Sequence, residues 1–342
     1  MPDSLARSVT RSATKSTLSD RLELISAEEP ASESFGQDVA EGLAASPKRL
    51  SSHWFYDEAG SHLFEEICEL PEYYLTRCER WILEEYAPEI ARRFERPTTL
   101  VELGSGSASK TRLLIEAFLA AYGRLVFSPI DISRTMLESS AHGLLESYPE
   151  LEVQAFAGRY ESGLEHFAKS QASPRLTLWL GSSVGNLDRV QAARFLTGLR
   201  ASMEEADRLL IGIDLRKDRE TLERAYDDAA GVTARFDLNL LERANRELGA
   251  DFDLAAFEHR ASWREDLGRV ESHLVSQKGQ SVRLEALGLE VAFEAGETIH
   301  TENSYKYSQD EIDGLASAAG MVRETSWQDP DGLYTLNLFA PG

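Results

Sequence analysis

VELGSGSASKT, residues 101–111, joins a predicted strand to a predicted helix through a glycine-rich turn. The residues leading into it, from Thr98, are mostly β-branched or apolar, and residues 109–122 carry apolar side chains at helical spacing. Glycines at the end of a strand allow the backbone to approach a ligand closely where the next helix begins. The segment therefore predicts a cofactor-binding loop in an α/β domain.

Three classes of cofactor use a loop of this kind. The dinucleotide pattern GxGxxG and the phosphate-binding pattern GxxxxGK both require a glycine at position 109, where this sequence has Ser109. Glu102, inside the strand, would repel a di- or triphosphate but tolerate the cationic sulfonium and amino group of S-adenosylmethionine. The loop therefore favours S-adenosylmethionine.

Two residues near the loop have open roles at this stage. Asp131 ends the second predicted strand, where Rossmann-like sites place a carboxylate that accepts hydrogen bonds from ribose, but an aspartate there could also cap a turn or helix. Lys110 could reach a cofactor carboxylate or could be a solvated surface lysine. Position alone does not decide either case.

Further strand-like runs alternate with helical segments along the chain, at 125–133, 151–158, 175–183 and 207–215. This alternation predicts a doubly wound, mostly parallel sheet with the Rossmann-like fold of class I methyltransferases. A helix near 309–319 and the apolar run 332–340 are expected to complete it.

A long insertion after residue 215 interrupts the alternation with helices and then strand-like runs. We predict that residues 26–77 and 216–306 form a second, α+β substrate-binding domain, and that residues 78–215 and 307–342 form the methyltransferase domain. Residues 1–25 are predicted to be a flexible tail, because the first twenty are rich in Ser, Thr and Arg and poor in large apolar groups.

The amino-acid composition limits the kinds of binding partner that we expect. A formal net charge of −22 without a Lys/Arg-rich tract argues against nucleic acid. The cysteines, Cys68 and Cys78, are too few for a disulfide framework or a four-thiolate metal site. No apolar run reaches the roughly 18 residues of a membrane span, and the N-terminus lacks a secretory apolar core. We expect a cytoplasmic monomer that acts on a small molecule.

Beyond the glycine loop, several blocks closely resemble the histidine Nα-methyltransferases of ergothioneine biosynthesis. The similarity spans nearly all of the chain after residue 35, and the same family pattern covers relatives that act on other amino acids. The blocks are WFYDEAGSHLFEEICELPEYYLTR (54–77), LGSSVGNL (180–187), AYDDAAGVTARF (225–236), ELGADFDLAAFEH (247–259) and HTENSYKY (300–307).

The resemblance implies trimethylation of L-histidine to hercynine by in-line methyl transfer from S-adenosylmethionine to the neutral α-amine, with no metal. It also gives roles to cofactor residues: Gly104 matches the glycine-loop position, Lys110 the cofactor lysine and Asp131 the ribose aspartate. Tyr160 stands where the family has an aromatic residue beside adenine, but Arg159 replaces the acidic residue that commonly precedes it. An arginine cannot accept a hydrogen bond from the adenine amino group.

For the substrate, the resemblance implies that Tyr73, Asn186 and Tyr226 hold the α-carboxylate and α-amino group, with Asn186 and Tyr226 as the catalytic pair. Tyr56 lies in the matching N-terminal block. Each of these residues also has a simpler role available, in the core or in a turn.

Glu302 and Ser304 match the pair that recognises the imidazole ring. A carboxylate on one ring nitrogen and a hydroxyl on the other would fix the tautomer. Ser272 stands where relatives can carry methionine, and its small side chain could enlarge the side-chain pocket. An Nα-methyltransferase for another amino acid, such as tryptophan or tyrosine, is therefore the main alternative. A non-catalytic S-adenosylmethionine-binding protein and a nicotinamide-dependent oxidoreductase rank lower.

Overall fold

The computed structural model describes residues 13–27, 35–170 and 174–342. None of the helices in these ranges is long and apolar enough to cross a bilayer. The strands are β1 Ala13–Ser19, β2 Leu22–Ala27, β3 Lys48–Arg49, β4 Thr99–Leu103, β5 Leu125–Asp131, β6 Leu151–Ala157, β7 Arg175–Trp179, β8 Arg208–Asp214, β9 Phe257–Arg264, β10 Arg269–Ser276, β11 Gln280–Leu284, β12 Leu289–Phe293, β13 Thr298–Tyr305, β14 Met321–Gln328 and β15 Tyr334–Pro341. The α-helices are α1 Phe35–Ala44, α2 Glu58–Cys68, α3 Tyr74–Arg92, α4 Thr111–Tyr122, α5 Arg134–Ser147, α6 Tyr160–Ser170, α7 Arg189–Ala201, α8 Arg219–Tyr226, α9 Val232–Leu248 and α10 Gln309–Ala318.

The main sheet has nine of the described strands, in the order β1-β2-β6-β5-β4-β7-β8-β15-β14. Strands β2 to β8 of this order pair in parallel, and β1, β15 and β14 pair antiparallel. Strand β4 is buried along its whole length, as expected at the centre of a sheet covered by helices on both faces. The predicted α/β class and mostly parallel sheet are confirmed, and the carboxyl ends of β4 and β5 meet at one edge of the sheet.

The N-terminal segment departs from the prediction. Residues 13–25, predicted as part of a flexible tail, lie in β1 and β2 at the edge of the main sheet. Leu22 and Leu24 are buried, and β2 pairs in parallel with β6. The segment is too polar to fold by itself, and its pairing with β6, which is distant in sequence, stabilises it. The rest of the predicted tail, residues 1–12, lies outside the described residues.

A second layer combines the chain's early segment with the insertion. Strands β3, β13, β10 and β9 form a four-stranded sheet, in which β3 pairs in parallel with β13. Helix α2 packs against α9, and β11 and β12 form a separate hairpin. Strands β9 and β14 were not predicted as separate elements. Strand β3 and helices α1 and α2 of the early segment thus pack with α9 and strands β9 to β13 of the insertion.

Candidate active site

The glycine loop takes its shape from backbone geometry. Gly104 has φ +71°, and its amide donates to the carbonyl of Ile130 at 2.8 Å. A Cβ at position 104 would lie 2.5 Å from the hydroxyl oxygen of Tyr160. Both the positive φ and the close neighbour require glycine. Glycine at this position therefore allows the loop to pass close to the Tyr160 hydroxyl.

Asp131 ties the second strand to this loop. Its Oδ2 accepts from the Gly106 amide at 3.1 Å and its Oδ1 accepts from the Ser133 amide at 2.9 Å. The turn role that the sequence left open is therefore present. Burial raises the pKa of Asp131, against the effect of these amides. A carboxylate has about four lone-pair sites, so acceptor capacity remains for a ligand.

Lys110 forms an ion pair with Glu79, a residue that the sequence analysis did not single out. The Glu79 carboxylate is fully buried and also accepts from the Gly181 amide at 2.9 Å and from the Tyr334 hydroxyl at 2.7 Å. Burial alone would lower the pKa of Lys110, but Glu79 outweighs it and raises that pKa. Lys110 thus lines the space over the glycine loop, and the buried Glu79 carboxylate balances its positive charge.

Glu102 lies at the base of the loop with one oxygen occupied. Its Oε1 accepts from the Thr111 hydroxyl at 2.6 Å, while its Oε2 is buried without a hydrogen-bond partner among the described residues. Burial raises the pKa of Glu102 to about 8. A buried acid with an open oxygen is a group that a cationic ligand would stabilise in its ionised form.

A cavity of about 1200 Å³ runs over the loop. It exceeds the usual 300–1,000 Å³ of a small-molecule site and has room for a nucleoside cofactor with a second ligand. Arg159 is exposed at its wall, and the ring of Tyr160 lies edge-on to Phe195 at 6.2 Å. The residues that the sequence predicted for the cofactor all line this cavity: Gly104, Lys110, Asp131 and Tyr160.

A smaller cavity of about 60 Å³ opens beside it. The two share the lining residues Tyr56, Tyr73 and Asn186, so the spaces adjoin. The structure brings all the residues predicted for the substrate together around the smaller cavity: Tyr56, Tyr73, Asn186, Tyr226, Glu302 and Ser304.

The tyrosines of this cavity are neutral hydrogen-bonding groups. Burial raises the pKa of Tyr56 and of Tyr73 well above the usual value, and it also raises that of Tyr226. Tyr73 and Tyr226 meet edge to face with ring centroids 6.1 Å apart, so the core-packing role also holds. Asn186 is exposed and ends a short 3-10 turn, Ser183–Asn186.

Glu302 and Ser304, the pair predicted to recognise the ring, lie on β13. Ser304 forms a hydrogen bond with the Tyr226 hydroxyl at 2.8 Å. Burial raises the pKa of Glu302 to about 7, and the nearby Asp237 carboxylate adds to the shift. Ser272 is buried on β10 directly across from Glu302, so the two side chains lie on the same face of their sheet.

Thr233 is a cavity residue that the sequence analysis passed over, although it lies in one of the quoted blocks. Its side chain lines the smaller cavity, and its hydroxyl is buried beside the Asp228 carboxylate, which accepts from the Thr233 amide at 2.7 Å. It offers the pocket one more donor or acceptor.

The chain is similar to known proteins over nearly all of its length. Residues 35–341 match the family described as histidine-specific methyltransferase, SAM-dependent. The chain is 44% identical over 313 residues to a histidine N-alpha-methyltransferase of Mycolicibacterium smegmatis, covering 91% of this chain and 96% of that protein. It is 32% identical to ergothioneine biosynthesis protein 1 of Neurospora crassa, covering 86% of this chain and 33% of that longer protein. It is 28% identical to an L-tryptophan methyltransferase of Psilocybe serbica, covering 87% of this chain and 90% of that protein.

Proposed function

The chain belongs to the histidine-specific, S-adenosylmethionine-dependent methyltransferase family, and from this premise we propose that it methylates the α-amino nitrogen of free L-histidine three times, giving hercynine for ergothioneine biosynthesis. The proposal rests on the placement of Asn186, Tyr226, Glu302 and Ser304 around one small cavity, which adjoins the larger cavity over the glycine loop. No single segment of the sequence brings these groups together. In this proposal, residues 26–77 and 216–306 act as the substrate-binding unit.

The cofactor end fits S-adenosylmethionine, which supplies an electrophilic methyl group on a sulfonium. Its size suits the large cavity, and the open Glu102 oxygen suits its positive charge. Lys110 would bind its carboxylate, and Asp131 would accept from its ribose. Tyr160 retains an aromatic ring that can stack on adenine, in place of the acidic contact that Arg159 does not offer.

The substrate end would read the imidazole ring by hydrogen bonds. Glu302 would accept from one ring N–H, and Ser304 would donate to the other nitrogen, which fixes a single neutral tautomer. A side chain that cannot do both would leave a buried polar group unpaired, at a cost of about 1–3 kcal/mol. The site would therefore select its amino acid by the hydrogen bonds of the side chain as well as by the size of the side chain.

Methyl transfer requires a neutral amine whose lone pair points at the methyl group. Asn186 adjoins both cavities, and its amide oxygen can accept from an amine N–H and so orient the lone pair. Tyr226 would hold the α-carboxylate. Positioning and exclusion of water contribute more here than a dedicated base. Between rounds the amine must rotate and lose a proton, which we propose occurs without product release; accumulation of monomethylhistidine would contradict this step.

The main alternative acceptor is another free amino acid, such as tryptophan or tyrosine. The small Ser272 opposite Glu302 favours it, because it leaves more space than a methionine. Against it stand the cavity of about 60 Å³ and the Glu302 carboxylate, which would face the carbon edge of an indole without a partner. Retained Asn186 and Tyr226 also disfavour a protein that binds S-adenosylmethionine without turnover.

The deciding experiment is mass spectrometry of a reaction that contains the purified protein, S-adenosylmethionine and an equimolar mixture of the twenty amino acids. Trimethylated histidine as the product supports the proposal. A different methylated amino acid would keep the methyl-transfer chemistry and overturn the assignment of Glu302. Absence of any product would favour the non-catalytic alternative. We further predict a monomer in the cytoplasm, and size-exclusion chromatography tests the first of these.

A further inference from the structure

A fully buried ammonium group, which the proposed chemistry does not use, contacts two of the residues that line the smaller cavity. Lys306 follows β13, and its side chain has no exposed surface. Its Nζ lies 2.8 Å from the Asp214 carboxylate, 2.7 Å from the Tyr226 hydroxyl oxygen and 2.8 Å from the Ser304 hydroxyl oxygen. An ammonium has three N–H donors and no acceptor, so these contacts use it completely.

We infer that Lys306 is a positioning residue, which sets the direction of the hydrogen bonds that Tyr226 and Ser304 offer to the substrate. The inference rests on the proposed function, in which these two hydroxyls contact histidine. Because Lys306 can only donate, both hydroxyl oxygens must accept from it. Neither hydroxyl can then direct its own proton toward Lys306.

As a consequence, the Tyr226 and Ser304 hydroxyls can donate hydrogen bonds into the smaller cavity. The Tyr226 and Ser304 oxygens are 2.8 Å apart, so one hydroxyl proton can lie between them while the other points at the cavity. A ligand that offers two acceptors draws both protons outward. The acceptors in histidine are the carboxylate beside Tyr226 and the unprotonated ring nitrogen beside Ser304. The remaining ring N–H then faces Glu302, and Lys306 thereby selects the tautomer through Ser304.

The Lys306 ammonium is held in this state by a buried carboxylate that it shares with a second lysine. Asp214 pairs with Lys306 and also with Lys217, whose Nζ lies 2.6 Å from the other carboxylate oxygen. Burial alone would raise the pKa of Asp214, but the two lysines outweigh it and lower that pKa. Lys217 also donates to the Tyr74 hydroxyl at 2.7 Å and to the Leu215 carbonyl at 2.7 Å, and among the described residues it forms no hydrogen bond with Tyr226 or Ser304. It is therefore a matched control with the same counter-ion.

The test is Lys306→Met compared with Lys217→Met in the full-length protein. Either variant leaves Asp214 with one lysine, so neither creates an unpaired buried carboxylate. We expect Lys306→Met to raise KM for histidine about 10- to 100-fold, because the hydrogen bonds it directs are made to a charged or polar ligand. The calorimetric Kd for S-adenosylhomocysteine should stay within about twofold, and Lys217→Met should change KM by less than about threefold.

A double-mutant cycle separates positioning from general damage. In a Tyr226→Phe, Ser304→Ala background, Lys306→Met should add less than about twofold, since the groups it acts through are gone. A persistent effect in that background, an equal loss of both ligands, or an equal effect of Lys217→Met would overturn the inference. If Lys306→Met does not fold, Lys306→Gln is measured by the same criteria. If the wild type methylates another amino acid, the proposed function fails and the comparison is made with that acceptor.

Discussion

The two ends of the cavity are built in different ways. The cofactor end comes mostly from one contiguous segment, residues 101–111, to which other parts of the chain add Asp131, Tyr160 and the ion-pair partner Glu79. Apart from that ion pair and the hydrogen bonds behind it, its contacts are short-range in sequence or involve backbone amides, as in the contact of Glu102 with Thr111 and of Asp131 with Gly106. Local backbone geometry therefore determines most of this end.

The substrate end depends on contacts between distant segments. Tyr226, Glu302 and Ser304 come from α8 and β13, and buried charges lie directly behind them. One such pair is Lys306 with Asp214, and another is His259 with Asp237 at 2.6 Å. We therefore expect backbone substitutions to affect mainly the cofactor end, and the loss of a buried charge to affect mainly the substrate end.

The strongest test removes the buried charge of Asp237. His259 donates to Asp237 from Nδ1, and its Nε2 lies 2.8 Å from the carbonyl oxygen of Tyr226, so the pair supports the end of α8. Asp237→Ala leaves a buried histidine without its carboxylate and should lower the free energy of unfolding by about 3–5 kcal/mol. Urea denaturation measures this. Glu66→Ala, which breaks an exposed pair with Arg235, should cost less than about 1 kcal/mol.

The same pair predicts a pH dependence of stability. Burial would lower the pKa of His259, but Asp237 outweighs it and raises that pKa from 6.5 to about 9. The stability that the protonated histidine contributes is fully present below about pH 6.5 and is lost as the pH rises through about 9. Wild-type unfolding should show this loss, and Asp237→Ala should show a flatter profile. Parallel profiles for the two proteins would contradict the assignment.

A second test separates the two ends by ligand. Glu302→Ala should lower kcat/KM for histidine about 100-fold, because a ring N–H loses its charged partner. The affinity for S-adenosylmethionine should stay within about twofold, since Glu302 lies in the smaller cavity and not along the glycine loop. Steady-state kinetics and calorimetry measure the two quantities. Glu302→Gln keeps an acceptor oxygen and should lose less; equal weakening of both ligands would refute the imidazole assignment.

The reciprocal test changes the backbone of the cofactor end. Gly104→Ala forces an L-residue into φ +71° and places a methyl group against the Tyr160 hydroxyl. The strain costs about 1–2 kcal/mol, so the affinity for S-adenosylmethionine should fall about tenfold, with KM for histidine little changed. Adding Tyr160→Phe removes the close oxygen and should restore part of the loss. An undiminished affinity would show that the loop does not require glycine here.

The sequence predicted these two ends unequally. The glycine loop and the α/β alternation could be predicted because periodicity and glycine placement are local signals. The residues of the substrate end could be placed only through resemblance to a family, since no spacing relates Tyr226 to Ser304. Glu79 and Lys306 escaped notice because charged residues are normally exposed, and burial is visible only once distant segments pack. Strand β2 was missed for a similar reason, because it depends on β6.

The smallest expected effect concerns Glu102, the acid of the cofactor end. Burial raises its pKa to about 8, so about a tenth of it is ionised at pH 7 and half at pH 8. A sulfonium cation stabilises the ionised form, so the affinity for S-adenosylmethionine should rise about fivefold over this interval, and less for the uncharged sulfur of S-adenosylhomocysteine. Calorimetry at the two pH values tests this, with Glu102→Gln as the control that should lose the difference. If wild type and Glu102→Gln change in parallel, Glu102 serves only to hold Thr111, and its charge contributes nothing to the affinity for the cofactor.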